Sequence, residues 1–280
     1  MQMKRIISNI KNLRMFLRQG GVARVNTLKM PVSEEMSGRR VVITGGGSGI
    51  GFAIAKRCLE AGAEVLISGR DVGKLDKAKV SLGCGKVETL VWDVGDVDSC
   101  AAKLQEAEDM LGGAIDAFVN NAGISNRQNP STLTKDVWGS VLATNLTGAT
   151  FVAQAMCERW VRQGCGGVLL NVASTAGLQS VVDAYGTSKT ALIQLTRGWA
   201  KYYAPRGIRI NAVAPGVIVG TEINKLQRSI SAAGNLHCAS YPAGRFGVPS
   251  EIAEVALFLL SDRSSYVYGQ TIVCDGGATL

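Results

Sequence analysis

The 280-residue chain has one histidine, His237. Ser-His or Cys-His catalysis would have to use that single imidazole, in a stretch that reads as loop, so such chemistry is set aside. The seven cysteines, Cys58, Cys84, Cys100, Cys157, Cys165, Cys238 and Cys274, are odd in number and scattered, with no C-x-x-C among them. They read as free thiols of a reducing compartment rather than a disulfide framework. With one histidine beside them, no metal site is expected. No apolar run reaches the roughly 18 residues a membrane-spanning helix needs, so no transmembrane segment is expected. Acidic residues are absent from residues 1–33, which hold Lys4, Arg5, Lys11, Arg14, Arg18, Arg24 and Lys29. That segment accounts for most of the net charge of +8, because the rest of the chain sets 23 basic against 22 acidic residues. A surplus held in one terminal segment is not a charged groove in a fold, and no nucleic-acid partner is expected.

An apolar content of 46% supports a full core, and the length suits one large α/β domain or two small ones. Residues 1–36 read as an extension. Met3, Ile6, Ile7, Ile10, Leu13 and Leu17 recur at helical spacing, with basic residues mostly opposite them. Three readings stand: a mitochondrial transit peptide, a helix lying on a surface, or an upstream start codon, the true chain beginning near Met30 or Met36. The first places the protein in the mitochondrial matrix; otherwise it is cytoplasmic.

From residue 37 the pattern alternates. Arg40 to Thr44 is a β-branched run without polar alternation, as in a parallel strand covered on both faces. It meets Thr44-Gly45-Gly46-Gly47-Ser48-Gly49-Ile50-Gly51, and residues 52–59 then read as a helix. Strand, glycine turn and helix form the setting in which a dinucleotide pyrophosphate rests on a helix N-terminus. A second strand, Glu64 to Ser68, ends at Gly69-Arg70. An NAD site places a carboxylate near this point to hold the ribose hydroxyls. Here Gly69 stands there with Arg70 beside it, and a guanidinium suits a 2′-phosphate. NADP(H) is therefore expected over NAD(H).

Further strands are expected at Val87–Trp92, Ile115–Val119, Val168–Val172, Ile208–Val213 and Thr271–Cys274. The third ends at Asp93-Val94, where a carboxylate can accept from the adenine amino group. The fourth runs into Asn120-Asn121-Ala122-Gly123, small residues that leave room for the adenine ribose. Helical patterning covers residues 134–163, with Asn145 inside it, then 185–203 and 251–260. The pattern implies an α/β fold: a single doubly wound Rossmann-type domain over 37–280, with about seven parallel strands and helices on both faces.

Tyr185-Gly186-Thr187-Ser188-Lys189 puts a phenol and an ammonium on one helix face, a turn apart. The ammonium favours the ionised phenol and lowers its pKa toward neutrality, as a general acid or base requires.

In this order these motifs resemble the short-chain dehydrogenase/reductase family, over residues 38 to 277. The likeness rests on the glycine loop at 44–51, Asn-Asn-Ala-Gly at 120–123, Asn145, Ser174, Tyr-x-x-x-Lys at 185–189 and Pro215-Gly216. It implies a catalytic tetrad of Ser174, Tyr185, Lys189 and Asn145. Tyr185 would protonate a carbonyl oxygen as hydride arrives, and Ser174 would orient that oxygen. Lys189 would hold the ribose hydroxyls, and Asn145 would fix a kinked helix and a water. The implied cofactor set is Gly45, Ser48, Gly49, Ile50, Gly51, Arg70, Asp93, Val94, Asn121, Ala122, Gly123, Tyr185, Lys189, Pro215, Gly216, Ile218 and Thr221. Thr221 lies one residue further beyond Pro215 than is usual for a ligand of the nicotinamide amide.

The tail, Arg245-Phe246-Gly247-x-Pro249-x-Glu251-Ile252-Ala253 with Asp275-Gly276-Gly277, resembles that of 3-oxoacyl-carrier-protein reductases, gluconate 5-dehydrogenases and tropinone-reductase-like enzymes. Ser174 and Tyr185 are closer in sequence than is usual there. Phe151 and Lys201 stand where carrier-protein reductases have arginines. The expected activity interconverts a small-molecule ketone and a secondary alcohol, the substrate being a 3-oxoacyl thioester or a keto-sugar acid. A homotetramer is implied. Residues 217–246 are expected to form a substrate-facing flap, with Ile218, Ile223, Leu226, Ile230, Leu236, Lys225, Arg228 and His237. Two rival classes remain: a dinucleotide-binding sensor without turnover, and a nucleic-acid or membrane-surface module driven by the basic segment.

Overall fold

The computed structural model describes residues 34–83, 86–126, 128–221 and 241–280. Residues 1–33, most of the expected extension, lie outside them, as do Ile223, Lys225, Leu226, Arg228, Ile230, Leu236 and His237 of the expected flap.

Seven strands form one parallel sheet in the order β3-β2-β1-β4-β5-β6-β7. They are β1 Arg40–Thr44, β2 Glu64–Gly69, β3 Val87–Val91, β4 Ala117–Asn120, β5 Gly167–Val172, β6 Ile208–Pro215 and β7 Thr271–Cys274. The helices between them are α1 Gly49–Glu60, α2 Val72–Leu82, α3 Cys100–Leu111, α4 Lys135–Leu142, α5 Ala149–Gln163, α6 Ala184–Tyr203 and α7 Pro249–Leu260.

The sheet is apolar on both sides because each side is covered. On β1 and β2, Val41, Ile43, Val65 and Ile67 join the core beneath α1 and α7, while Val42 and Leu66 join that beneath α3, α5 and α6. The chain runs outward from β1 to β2 and β3, then returns to β4 on the other side of β1. That reversal opens a crevice at the carboxyl ends of β1 and β4, where ligands of such sheets bind.

Three expectations are corrected. The helical run expected over 134–163 is present but interrupted, where the family likeness implied a kink. Residues Ala143–Gly148 form a π-turn between α4 and α5, and Asn145 sits in it. A Cβ on Gly148 would meet the Val94 carbonyl oxygen at 2.3 Å, so backbone packs directly on backbone there. Second, Met36 belongs to the domain and not to the extension: it is 1% exposed, and its N–H donates to the Ala61 carbonyl at 2.9 Å. Third, β4 begins at Ala117 and ends at Asn120, two residues later than Ile115 at its start and one later than Val119 at its end. Helix α3 was not among the expected helices, although its buried Cys100, Leu104, Ala107, Glu108 and Leu111 fall at helical spacing.

Of the flap, only the two ends are described. Ile218 pairs with Gly247 in a parallel bridge, and Val219, Tyr241 and Phe246 make a small apolar cluster behind it.

Candidate active site

The glycine loop joins β1 to α1 and is held from beneath by Asn121. The Asn121 amide donates to the carbonyls of Thr44 at 2.8 Å and Gly45 at 3.1 Å. The Thr44 hydroxyl accepts from the backbone N–H groups of Asn121 and Ala122, both at 3.0 Å, and donates to the Val119 carbonyl. The ends of β1 and β4 are thereby locked together, and Asn121 acts as the fastener of the loop as well as a wall of the crevice. Gly51 allows this approach: a Cβ there would lie 2.4 Å from the Asn121 nitrogen and 2.5 Å from the Gly45 oxygen. At the start of α1, Ser48 is the N-cap by position, yet its hydroxyl makes no capping bond. The first N–H groups of the helix are thus left for an anion.

In front of the loop lies a crevice of about 410 Å³, lined by Gly45, Ser48, Gly49, Ile50, Arg70, Asp93, Val94, Asn121, Ala122, Gly123 and Thr221 among others. Eleven of the expected cofactor residues therefore meet in one cavity. Arg70, 60% exposed, reaches toward Asp93, with 3.8 Å between Nη1 and Oδ2. The Asp93 Oδ1 atom accepts from Gly95 N–H at 2.9 Å. Asp71 is the nearest acidic neighbour of Arg70 in sequence, but its carboxylate caps α2 by accepting from Lys74 N–H at 3.0 Å. Lys74, like Arg70, lines the same crevice. The sequence pattern did not single it out.

A second hollow, of about 70 Å³, opens beside the first and shares Ile50, Asn121, Gly123 and Thr221 with it. Its other walls include Val172, Ser174, Tyr185, Lys189, Pro215, Gly216 and Ile218. Tyr185 and Lys189 come from the first turns of α6, which Asp183 caps by accepting from Gly186 N–H at 2.8 Å. Lys189 is buried; its Nζ donates to the Val172 carbonyl at 2.7 Å and lies 5.7 Å from the Tyr185 ring centroid. Burial brings its pKa from 10.5 down to about 8. Ser174 follows β5 and shapes its own loop, its Oγ accepting from Ala176 N–H at 3.2 Å. Gly216 packs against Asp275, where a Cβ would meet the Asp275 Cβ at 2.7 Å. Thr221 reaches the glycine loop: a Cβ on Gly49 would contact its Cγ2 at 3.4 Å.

Asn145 does not line either hollow. Its Oδ1 accepts from Ile124 N–H and its Nδ2 donates to the Ile124 carbonyl, both at 2.8 Å. It stands behind Gly123: a Cβ there would lie 3.4 Å from Asn145 Oδ1 and 3.7 Å from Lys189 Nζ. Among the described residues, no cluster of His, Cys, Asp and Glu could hold a metal ion. No helix among them is long and apolar enough to cross a membrane.

The arrangement is that of a doubly wound protein whose crevice runs into a hollow lined by Ser174, Tyr185 and Lys189. A family model described as enoyl-(acyl carrier protein) reductase matches residues 45–279. The chain belongs to the short-chain dehydrogenase/reductase family of oxidoreductases, which bind nicotinamide dinucleotides. It is 34% identical to 2-(S)-hydroxypropyl-CoM dehydrogenase 3 of Xanthobacter autotrophicus, over 89% of this chain and 99% of that protein. It is 37% identical to a 3-oxoacyl-(acyl-carrier-protein) reductase of Thermotoga maritima, over 88% of this chain and 99% of that one. A gluconate 5-dehydrogenase of Burkholderia cenocepacia, solved in complex with NADP and tartrate, superposes with a TM-score of 0.80 at 33% identity, covering 89% of this chain and 98% of that one.

Proposed function

We propose that the chain interconverts a ketone and a secondary alcohol with NADP(H), the ketone being a 3-oxoacyl thioester in the first instance. The observation that carries this is the convergence of Ser174, Tyr185 and Lys189 on a hollow continuous with the dinucleotide crevice. The bound nicotinamide supplies or accepts the hydride. The Tyr185 hydroxyl gives its proton to the carbonyl oxygen in reduction and recovers it in oxidation. Ser174 donates a hydrogen bond that orients that oxygen. Lys189 holds the ribose hydroxyls and biases the Tyr185 proton, and Asn145 supports both from behind Gly123. Val172 keeps the ammonium aimed by accepting its hydrogen bond.

NADP(H) is favoured over NAD(H) by Arg70, with Lys74 also lining the crevice, while Gly69 ends β2 without a side chain and the nearby carboxylates of Asp71 and Asp93 accept from backbone N–H groups. A keto-sugar acid is the second substrate reading, favoured by likeness to the gluconate dehydrogenase. The chain is further read as a homotetramer built through α5, α6 and β7, on which Phe151 and Val273 are exposed. Its basic leading segment is read as a mitochondrial transit peptide.

The test is turnover of NADPH with acetoacetyl thioesters and keto-sugar acids, beside Tyr185→Phe. Turnover by the wild type, lost in the variant while NADPH still binds, supports the reading. A wild type that binds dinucleotide yet turns over no ketone or alcohol overturns it in favour of the sensor.

A further inference from the structure

Between Tyr185 and Lys189 sits Ser188, which is fully buried, at 0% exposed. Its Oγ donates to the Tyr185 carbonyl at 2.6 Å and accepts from Asn145 Nδ2 at 3.3 Å. The directions are fixed by chemistry. An amide nitrogen only donates, so the one hydroxyl proton goes to Tyr185 and a lone pair receives Asn145. The Asn145 amide is itself pinned, because its oxygen faces Ile124 N–H and its nitrogen faces the Ile124 carbonyl. A continuous chain of hydrogen bonds thus runs from the loop after β4, through the π-turn, to the first turn of α6.

We propose that Ser188 is a positioning residue, whose hydroxyl sets the turn bearing Tyr185 and Lys189 against the Asn145 π-turn. Neither hollow includes Ser188 in its lining, so it acts through its neighbours and not on substrate. A helical serine that bonds only to the carbonyl three residues back would serve the helix alone. Ser188 differs in also receiving the side chain of a residue 43 positions away. Beside this bridge, Val141 of α4 packs with Ala184 and Tyr185 of α6 in one small apolar cluster. Apolar packing fixes distance but tolerates sliding, whereas a bridging hydroxyl fixes register.

The inference rests on the proposed proton-transfer role of Tyr185. Its test compares the wild type, Ser188→Ala, Ser188→Thr, Asn145→Ala and the double variant Asn145→Ala/Ser188→Ala, measuring kcat, KM for both substrates and the pH dependence of kcat. Ser188→Ala is expected to lower kcat on the order of tenfold, as small misalignments of reacting groups do, with both KM values within about twofold. The pH limb of kcat should move, because the Tyr185–Lys189 relation changes. Ser188→Thr keeps the hydroxyl and should recover most of kcat. The losses for Asn145 and Ser188 should be non-additive, as for residues of one network. A folded Ser188→Ala enzyme with wild-type kcat and pH profile, altered only in melting temperature, overturns the positioning role and leaves the reductase reading intact. Additive losses in the double variant would do the same. A wild type without turnover overturns both readings together.

Discussion

Lys189 lies 5.7 Å from the centroid of the Tyr185 ring, and its pKa of about 8 sits well below that of an ordinary lysine. The fold therefore holds this ammonium against a desolvation penalty. The penalty is fully present below pH 8, where folding must bury a charge. It fades as pH rises from 8 toward 10.5, where the unfolded chain also loses the proton. A fall from 10.5 to about 8 corresponds to roughly 3 kcal/mol at neutral pH. Lys189→Met, similar in length and uncharged, should therefore melt higher than the wild type at pH 6 to 7, with the gap closing above about pH 9. It should also lose ketone turnover. A lower melting point at pH 6.5 would show that the bond to Val172 outweighs the buried charge.

Gly51 lies in the first turn of α1, where replacing glycine by alanine ordinarily stabilises a helix by about 1 kcal/mol. Here the sign should reverse. The added Cβ would lie 2.4 Å from the Asn121 nitrogen and 2.5 Å from the Gly45 oxygen, and the second of these is backbone that cannot swing away. Gly51→Ala should weaken NADPH binding at least tenfold and lower the melting point, because displacing Asn121 frees the loop that cradles the pyrophosphate. An affinity within twofold of wild type, read by fluorescence titration, would rule out that coupling.

The contrast between Gly51 and Lys74 shows what sequence could and could not convey. Gly51, Asn121 and Tyr185 announce themselves because each belongs to a short run whose residue types are dictated by local geometry. The strands were legible for a similar reason: a parallel sheet covered on both faces demands unbroken apolar runs such as Val41-Val42-Ile43. Lys74 was silent, since its place in the crevice depends on the phase at which Asp71 starts α2. The π-turn at Asn145 was legible only through likeness to a family, which implied a kinked helix there; its end, Gly148, packs on the carbonyl of Val94, distant in sequence. Ser188 was hidden in plain view within Tyr-x-x-x-Lys, because its bond to Asn145 exists only once α6 and the π-turn are packed.

Gly167 begins β5 directly beneath the Trp160 indole: a Cβ there would lie 2.2 to 2.6 Å from three ring atoms. Trp160 cannot yield easily, being fully buried with its Nε1 donating to the Ile115 carbonyl. Gly167→Ala should destabilise the protein by about 1–3 kcal/mol, the usual effect of overpacking a core. Denaturant unfolding reads this directly, as a lower midpoint at unchanged slope. Since Gly167 is at the far end of the strand from Ser174, cofactor affinity of the folded variant should be unaltered.

Arg70 and Lys74 bear on cofactor choice, and their contributions can be separated. Arg70 is mostly exposed and pairs loosely with Asp93, so the guanidinium is free to turn toward an incoming phosphate at little cost. Each cation that bonds a 2′-phosphate adds a charge-assisted contact of about 1.5–3 kcal/mol, or on the order of ten- to a hundredfold in affinity. Arg70→Glu should lower NADPH affinity by at least that factor while NADH affinity holds or rises, since a carboxylate can hold the ribose hydroxyls. Lys74→Ala should lower NADPH affinity by less and leave NADH unchanged. Raising the salt from about 0.05 to 0.5 M should narrow the wild-type preference, because exposed charges are screened. Equal loss of both cofactors in Arg70→Glu would mean that the residue supports the crevice and does not read the phosphate. A wild type that already prefers NADH would remove the 2′-phosphate argument and leave the ketone chemistry standing on Ser174, Tyr185 and Lys189.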